Sequence, residues 1–228
     1  MSFPLVIVID AEIGAGKSTL LNIFDKIDIF HNDKKLDIVC IQEPVDIWKN
    51  EGVLDDFYTN IKQNAYKFQT YTFITRVKRC IEMYEQHPSA DIFILERSIF
   101  SDRYIFVEML HKDGLFTDLE YQIYTQWWTL WEKIMPFKPT IFIYLSTDLP
   151  ECYNRIKIRN RDSESNIAYS YLESLHSQHK QFITYISDLY PTYTLNGNIN
   201  YTNDTGQSII KQQFIDIVTT YLDKPQLK

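Results

Sequence analysis

The sequence predicts an α/β fold: a parallel five-stranded sheet with helices on both faces. Two observations predict it. Short apolar, β-branched runs alternate with longer amphipathic stretches, and a Gly-Lys-Ser-Thr turn follows the first run almost directly. Strands separated by helices are joined by right-handed crossovers, which makes the sheet parallel.

Taken in order, LVIVI (5–9), IVCIQ (38–42), IFILE (92–96) and TIFIYL (140–145) read as strands buried on both faces, and YTL (193–195) as a fifth. The stretches 17–29, 64–86, 102–111, 119–135, 149–160, 168–190 and 207–222 read as helices. No repeat, low-complexity tract or linker interrupts the 228 residues, so one domain over 1–228 is expected.

Composition narrows the function. A net charge of −7 argues against a nucleic-acid partner, because binding a phosphate backbone needs a basic field. Small anionic ligands remain open to a few local cations. No apolar run approaches the roughly 18 residues of a membrane span, so no membrane partner is expected. Cys40, Cys80 and Cys152 lack metal or redox spacing and read as reduced thiols of a cytoplasmic protein. The first arginine is Arg76, unlike an Arg-rich transit peptide.

In open parallel sheets, ligands bind beyond the carboxyl ends of the strands. Leaving the strands in turn, the chain places there residues 10–18, then Glu43, then Glu96-Arg97-Ser98, then a helix carrying Arg155 and Arg159 with Arg161 just beyond. Ala11, Glu12, Ile13, Gly14, Ala15, Gly16, Lys17, Ser18 and Thr19 form a phosphate-binding loop, except that Ala11 stands where the template has its first glycine. Backbone N–H groups of such a loop cradle an anion, the lysine reaches the β- and γ-phosphates, and the serine helps hold Mg²⁺. A glycine is required only where φ is positive or a Cβ would collide. Ala11 is therefore expected to leave the loop working.

With IGAGKST, QEPVDIW (42–48), KFQTYTFITR (67–76), ERSIFSDRYIF (96–106) and RIKIRNRDSE (155–164) in order, the chain resembles the deoxyribonucleoside kinases of the deoxycytidine, deoxyguanosine and mitochondrial thymidine kinase type. The resemblance implies a P-loop nucleoside-kinase-like three-layer fold with an Arg-rich lid at about 155–166. It implies transfer of the ATP γ-phosphate, with Mg²⁺, to the 5′-hydroxyl of a deoxynucleoside. By resemblance Glu43 is the general base, Glu96 a Mg²⁺ partner, and Arg97 a clamp shared by phosphate and acceptor oxygen. Arg155, Arg159 and Arg161 close over the phosphates, a task that suits arginine's paired donors. Tyr58 and Glu164 match positions that bind the 3′-hydroxyl. Gln69 can pair with a base edge through one donor and one acceptor. Trp48, Phe68 and Phe106 match the walls around the base; each is equally open to a core role, Trp48 above all in a chain of 16 Tyr and 14 Phe. The loop at 196–206 falls where relatives contact adenine.

Arg76 and Asp102 occupy positions that are apolar in thymidine-preferring relatives. The resemblance thus points to deoxycytidine, deoxyadenosine or deoxyguanosine and away from thymidine. It also implies a homodimer packed through helices. Trp127, Trp128 and Trp131 suit either core packing or such an interface. His176 and His179 are spaced as metal ligands can be, but no third ligand accompanies them, so a surface helix face is expected. Two rivals stand beside the kinase reading. A nucleoside monophosphate kinase would want cations where Glu43 would repel a phosphate acceptor, and a silent relative would be favoured only by Ala11.

Overall fold

A computed structural model of the chain describes residues 4–136, 138–161 and 167–224. In chain order it runs β1 (Leu5–Asp10), α1 (Lys17–Phe24), β2 (Phe30–His31), β3 (Lys34–Lys35), β4 (Ile38–Ile41), α2 (Val45–Asn50), α3 (Val53–Thr59) and α4 (Ile61–Gln86). Next come β5 (Ile92–Glu96), α5 (Ile99–Ser101), a π-helical turn (Asp102–Val107), α6 (Glu108–Lys112), α7 (Asp118–Ile134) and β6 (Ile141–Ser146). The chain closes with α8 (Leu149–Arg159), α9 (Tyr169–Ser187), β7 (Thr192–Asn196) and α10 (Asp204–Leu222).

The five long strands form one sheet in the order β4-β5-β1-β6-β7, every neighbouring pair parallel. All six residues of β1 and all five of β5 are buried, which is why their sequences carry no polar alternation. Alternate β1 residues serve different cores. Val6 and Val8 pack with the side chains of α4, α7 and α9, whereas Leu5, Ile7 and Ile9 pack with those of α1 and α10. The sheet is thereby sandwiched between two helical layers, as expected from the sequence. Each Leu, Ile or Phe so buried contributes roughly 1.5–3 kcal/mol against the entropy of ordering the chain.

Three elements escape the sequence pattern. The β2–β3 hairpin and helices α2 and α3 are too short to show a period. The first helix ends at Phe24 rather than 29. The predicted helix over 102–111 is real but opens with the π-helical turn.

Strand order reverses at β1, so the crevice for a ligand lies beyond its carboxyl end. The register pairs Ile9 with Glu96 and Asp10 with Tyr144. That places the ends of β5 and β6 on either side of the loop leaving β1.

Candidate active site

The loop between β1 and α1 is shaped by Gly14 and Gly16, at φ 83° and 104°. A Cβ on Gly14 would fall 2.4 Å from the Cys152 carbonyl oxygen of α8, so this position admits only glycine. Ala11 is different. Its backbone is not among the described residues with positive φ, and its methyl is fully buried in the core beneath the sheet. The absent glycine costs the loop nothing that these contacts require.

Lys17 is buried and donates to the carbonyls of Ala11 at 3.1 Å and Glu12 at 2.9 Å. Burial, reinforced by Arg97, lowers its pKa to about 8 against the pull of Glu96, Glu43 and Asp10. Ser18 Oγ donates to Glu96 Oε1 at 2.9 Å. Burial, with Glu43 adding to it, raises the Glu96 pKa. This hydroxyl and carboxylate are hard oxygen donors beside the phosphate nest. They fit Mg²⁺, which takes few protein ligands and keeps waters and phosphate oxygens for the rest.

The segment after β5 is fixed by its cap. Arg97 takes the left-handed conformation at φ 60°, while its N–H still donates to Ile9. Ser98 then caps α5, accepting from Phe100 N–H, and Ser101 Oγ accepts from the Ser98 N–H. The Arg97 side chain is thereby turned back over β1, where Nη2 donates to the Ala11 carbonyl at 3.0 Å and Nη1 to Glu43 Oε2 at 2.8 Å.

Glu43 is held on both oxygens, because Arg76 Nη2 donates to its Oε1 at 2.7 Å. Arg76 also grips Asp102 bidentately, with Nε to Oδ2 at 2.9 Å and Nη2 to Oδ1 at 3.0 Å, and donates to the Glu96 carbonyl at 3.2 Å. Burial would raise the Glu43 pKa, but Arg97 and Arg76 outweigh it and hold the carboxylate ionised. Burial wins at Asp102, whose pKa is raised despite Arg76.

A single cleft gathers most of the expected residues. Gly14, Gly16, Lys17, Ser18 and Thr19 line its loop end, and Glu43, Glu96, Arg97, Arg76, Asp102, Trp48, Tyr58, Phe68, Gln69 and Phe106 its deeper part. Phe106 lies under the Arg97 guanidinium at 4.9 Å, and Trp48 under that of Arg76 at 5.7 Å. Trp48 is also tied to α4 by its Nε1–H, 2.8 Å from Thr75 Oγ1, so it is wall and core at once. Ile13 of the loop lines the cleft as well, and so do Val45, Leu54 and Thr72, which sequence reading missed. The available signal was helical spacing: Thr72 lies three residues after Gln69 and four before Arg76, on one face of α4.

Arg159 and Arg161 line the cleft. Arg155 stands behind the loop, with Nη1 donating to the carbonyls of Ala15 and Gly197 at 3.0 Å each and Nε to Glu151 at 2.7 Å. Glu164 lies outside the described residues, as does part of the expected lid. Ala11, Glu12 and Ala15 serve the loop from beneath rather than lining the cleft, each being buried.

The expected surface face for His176 and His179 is corrected. His179 is 0% exposed, with Nδ1 donating to the Leu175 carbonyl at 2.8 Å and Nε2 standing 3.4 Å from Asp10 Oδ1. Asp10 also accepts from Ser101. Burial would raise the Asp10 pKa, but His179, then Arg97 and Ser101, bring it below the ordinary value. His176 Nδ1 donates to Glu12 Oε1 at 2.7 Å. The α9 spacing brings both rings down onto buried carboxylates that only the fold supplies. Among the three tryptophans, Trp128 donates to the Ile99 carbonyl at 2.7 Å and, like Trp131, packs against the core, whereas Trp127 is 54% exposed.

A glycine-shaped strand-to-helix turn, oxygen donors suited to Mg²⁺ and a carboxylate lining an aromatic-walled cleft suit phosphoryl transfer. Comparison with known proteins sharpens that class. The deoxynucleoside kinase family matches residues 7–219. A Fowlpox virus protein named "Probable deoxycytidine kinase" is 33% identical over 217 residues, covering 93% of this chain and 88% of the relative. "Deoxycytidine kinase 2" of Gallus gallus is 30% identical over 251 aligned positions, covering 95% and 89%. "Thymidine kinase 2, mitochondrial" of Homo sapiens is 29% identical over 181 residues, covering 78% of this chain and 64% of the relative. The chain belongs to the deoxynucleoside kinase family. Among the described residues no helix is long and apolar enough to cross a membrane.

Proposed function

We propose that this enzyme transfers the γ-phosphoryl group of ATP to the 5′-hydroxyl of a deoxynucleoside in nucleotide salvage, and takes deoxycytidine, deoxyadenosine or deoxyguanosine in preference to thymidine. The observation that carries the base preference is the buried, bidentate Arg76–Asp102 pair in the deep part of the cleft. A thymine methyl set against two buried charges gains no apolar contact and displaces polar partners that those charges need. A base edge with donors and acceptors can pair instead with Gln69 and the Arg76–Asp102 pair.

Glu43 accepts the 5′-hydroxyl proton. Clamped by two arginines it is a weak base, which suits a loose transition state in which the hydroxyl proton leaves late. Arg97 spans Glu43 and the loop, so it can follow the transferred group from donor to acceptor. Lys17, the loop N–H groups, Arg159 and Arg161 serve the ATP phosphates, and Arg155 braces the loop through the Ala15 carbonyl. Ser18 and Glu96 would hold Mg²⁺, which would supply positive charge to balance that of the phosphates. Tyr58 and Glu164 bind the 3′-hydroxyl, and Trp48, Phe68 and Phe106 flank the base. A homodimer in the cytoplasm completes the reading. The exposed Leu119, Ile123, Trp127, Leu130 and Ile134 along one side of α7 support a helix-packed interface.

The test is phosphorylation of the four deoxynucleosides, with dTMP and dCMP, under ATP and Mg²⁺. Transfer to deoxycytidine or a purine deoxynucleoside, with little to thymidine, is expected. Transfer to the monophosphates alone would replace this reading with a monophosphate kinase, and thymidine as best substrate would overturn the base preference.

A further inference from the structure

Glu12 sits within the phosphate loop, and a carboxylate there is an electrostatic hazard, because the same loop must gather the charge of a polyphosphate. The fold turns it away. The side chain is 1% exposed and points between β6 and α9, where Oε1 accepts from Tyr144 Oη at 2.7 Å and from His176 Nδ1 at 2.7 Å. Its Oε2 is buried with no partner among the described residues. The Tyr144 hydroxyl is pushed up by burial and by Glu12, so it remains a donor. Meanwhile the Glu12 carbonyl accepts from Lys17, so the residue ties the nest lysine to α9 through one short path.

We propose that His176 is a positioning residue for ATP: by holding the Glu12 carboxylate away from the phosphate nest, it fixes the loop in its anion-binding form. The inference rests on reading the loop as an ATP site. Histidine suits the task because its Nδ1–H, presented from α9, donates straight to the carboxylate. Tyr144 alone supplies a single neutral donor, too little for a buried carboxylate. Without His176 the carboxylate must find water or swing toward the nest, where it competes with phosphate. The neighbouring His179–Asp10 contact docks the same helix onto the end of β1, which keeps His176 in place.

The test is a double-mutant cycle on the full chain, reading Mg-ATP affinity by calorimetry together with kcat and the KM for each substrate. H176A is expected to weaken ATP about tenfold with the deoxynucleoside KM unchanged, a partly exposed partner being worth less than a fully buried one. H176Q, which keeps a donor, should recover to within about threefold of wild type. E12Q placed in H176A should restore most of the loss, because a neutral amide leaves no charge to strand. Equal ATP affinity in H176A and wild type, additive losses in E12Q/H176A, or a parallel loss of both substrates would each overturn the proposal. Should H176A fail to fold, recovery of folded, ATP-binding protein in E12Q/H176A supports it and failure of that variant overturns it. Wild type that does not bind ATP overturns the kinase reading along with it, whereas wild type that binds while the cycle is additive overturns this proposal alone.

Discussion

The two halves of the cleft are built on different principles. The half proposed for the acceptor is a chain of buried side chains in which Asp102, Arg76, Glu43 and Arg97 are each bonded to the next. The half proposed for the donor is mostly backbone: a glycine-shaped loop, a lysine resting on two carbonyls, and arginines brought from α8 and its end. A buried chain of charges fixes orientation at the cost of desolvation, which suits selection of one acceptor geometry. A backbone nest binds any phosphate of the right charge, so it grips without reading the base. Selectivity is therefore expected to break on the acceptor side, and affinity for the common donor on the other.

The largest effect is expected at the joint of that chain. Glu43→Gln should lower kcat by about two to four orders of magnitude with ATP affinity little changed, as measured by steady-state turnover. Near-normal turnover would remove Glu43 from the mechanism. Replacing Arg76 with Met and Asp102 with Ala together should raise kcat/KM for thymidine by about tenfold or more while lowering it for deoxycytidine. The pair must change together, because either charge left alone in the pocket would cost about 3–5 kcal/mol of stability. No gain with thymidine would refute this pocket as the base reader.

On the donor side, kcat/KM for ATP should fall as pH rises through about 8, where Lys17 passes from charged to neutral in the free enzyme. A profile flat to well above that pH would show that the lysine keeps its proton. Glu43, held below the ordinary carboxylate range, should leave no mark on the acid side near its usual value, whereas Glu96, shifted upward, should. The smallest effect is expected from Ala11→Gly. Its backbone needs no positive φ and its methyl fills core space, so ATP affinity should stay within about twofold and stability should drop by about 0.5–1 kcal/mol. A marked gain in ATP affinity would show that the methyl does distort the loop.

The two halves also differ in how far they could be read from the chain alone. The sheet, its parallel sense and the loop were legible because β1, β5 and β6 carry apolar residues on both faces and the loop's chemistry lies in one contiguous stretch. Glu43, Glu96 and Arg97 could be placed because each lies at or just past the end of a strand, at the same sheet edge. Val45 and Leu54 could not, since an apolar residue on a helix looks the same whether it faces core or ligand, and Thr72 was marked only by its helical spacing from Gln69 and Arg76. His176 and His179 were misread for a further reason. Three-residue spacing says that two rings share a helix face, but not what that face meets. The parallel register of β1 with β6 sets Asp10 and Glu12 beneath α9, and that encounter spans more than 160 residues of chain. Local pattern determined the long strands, the long helices and the glycine loop, because propensity and loop chemistry act between near neighbours. The tertiary structure alone decided which charges are paired and buried, because burial and pairing are properties of distant segments brought together.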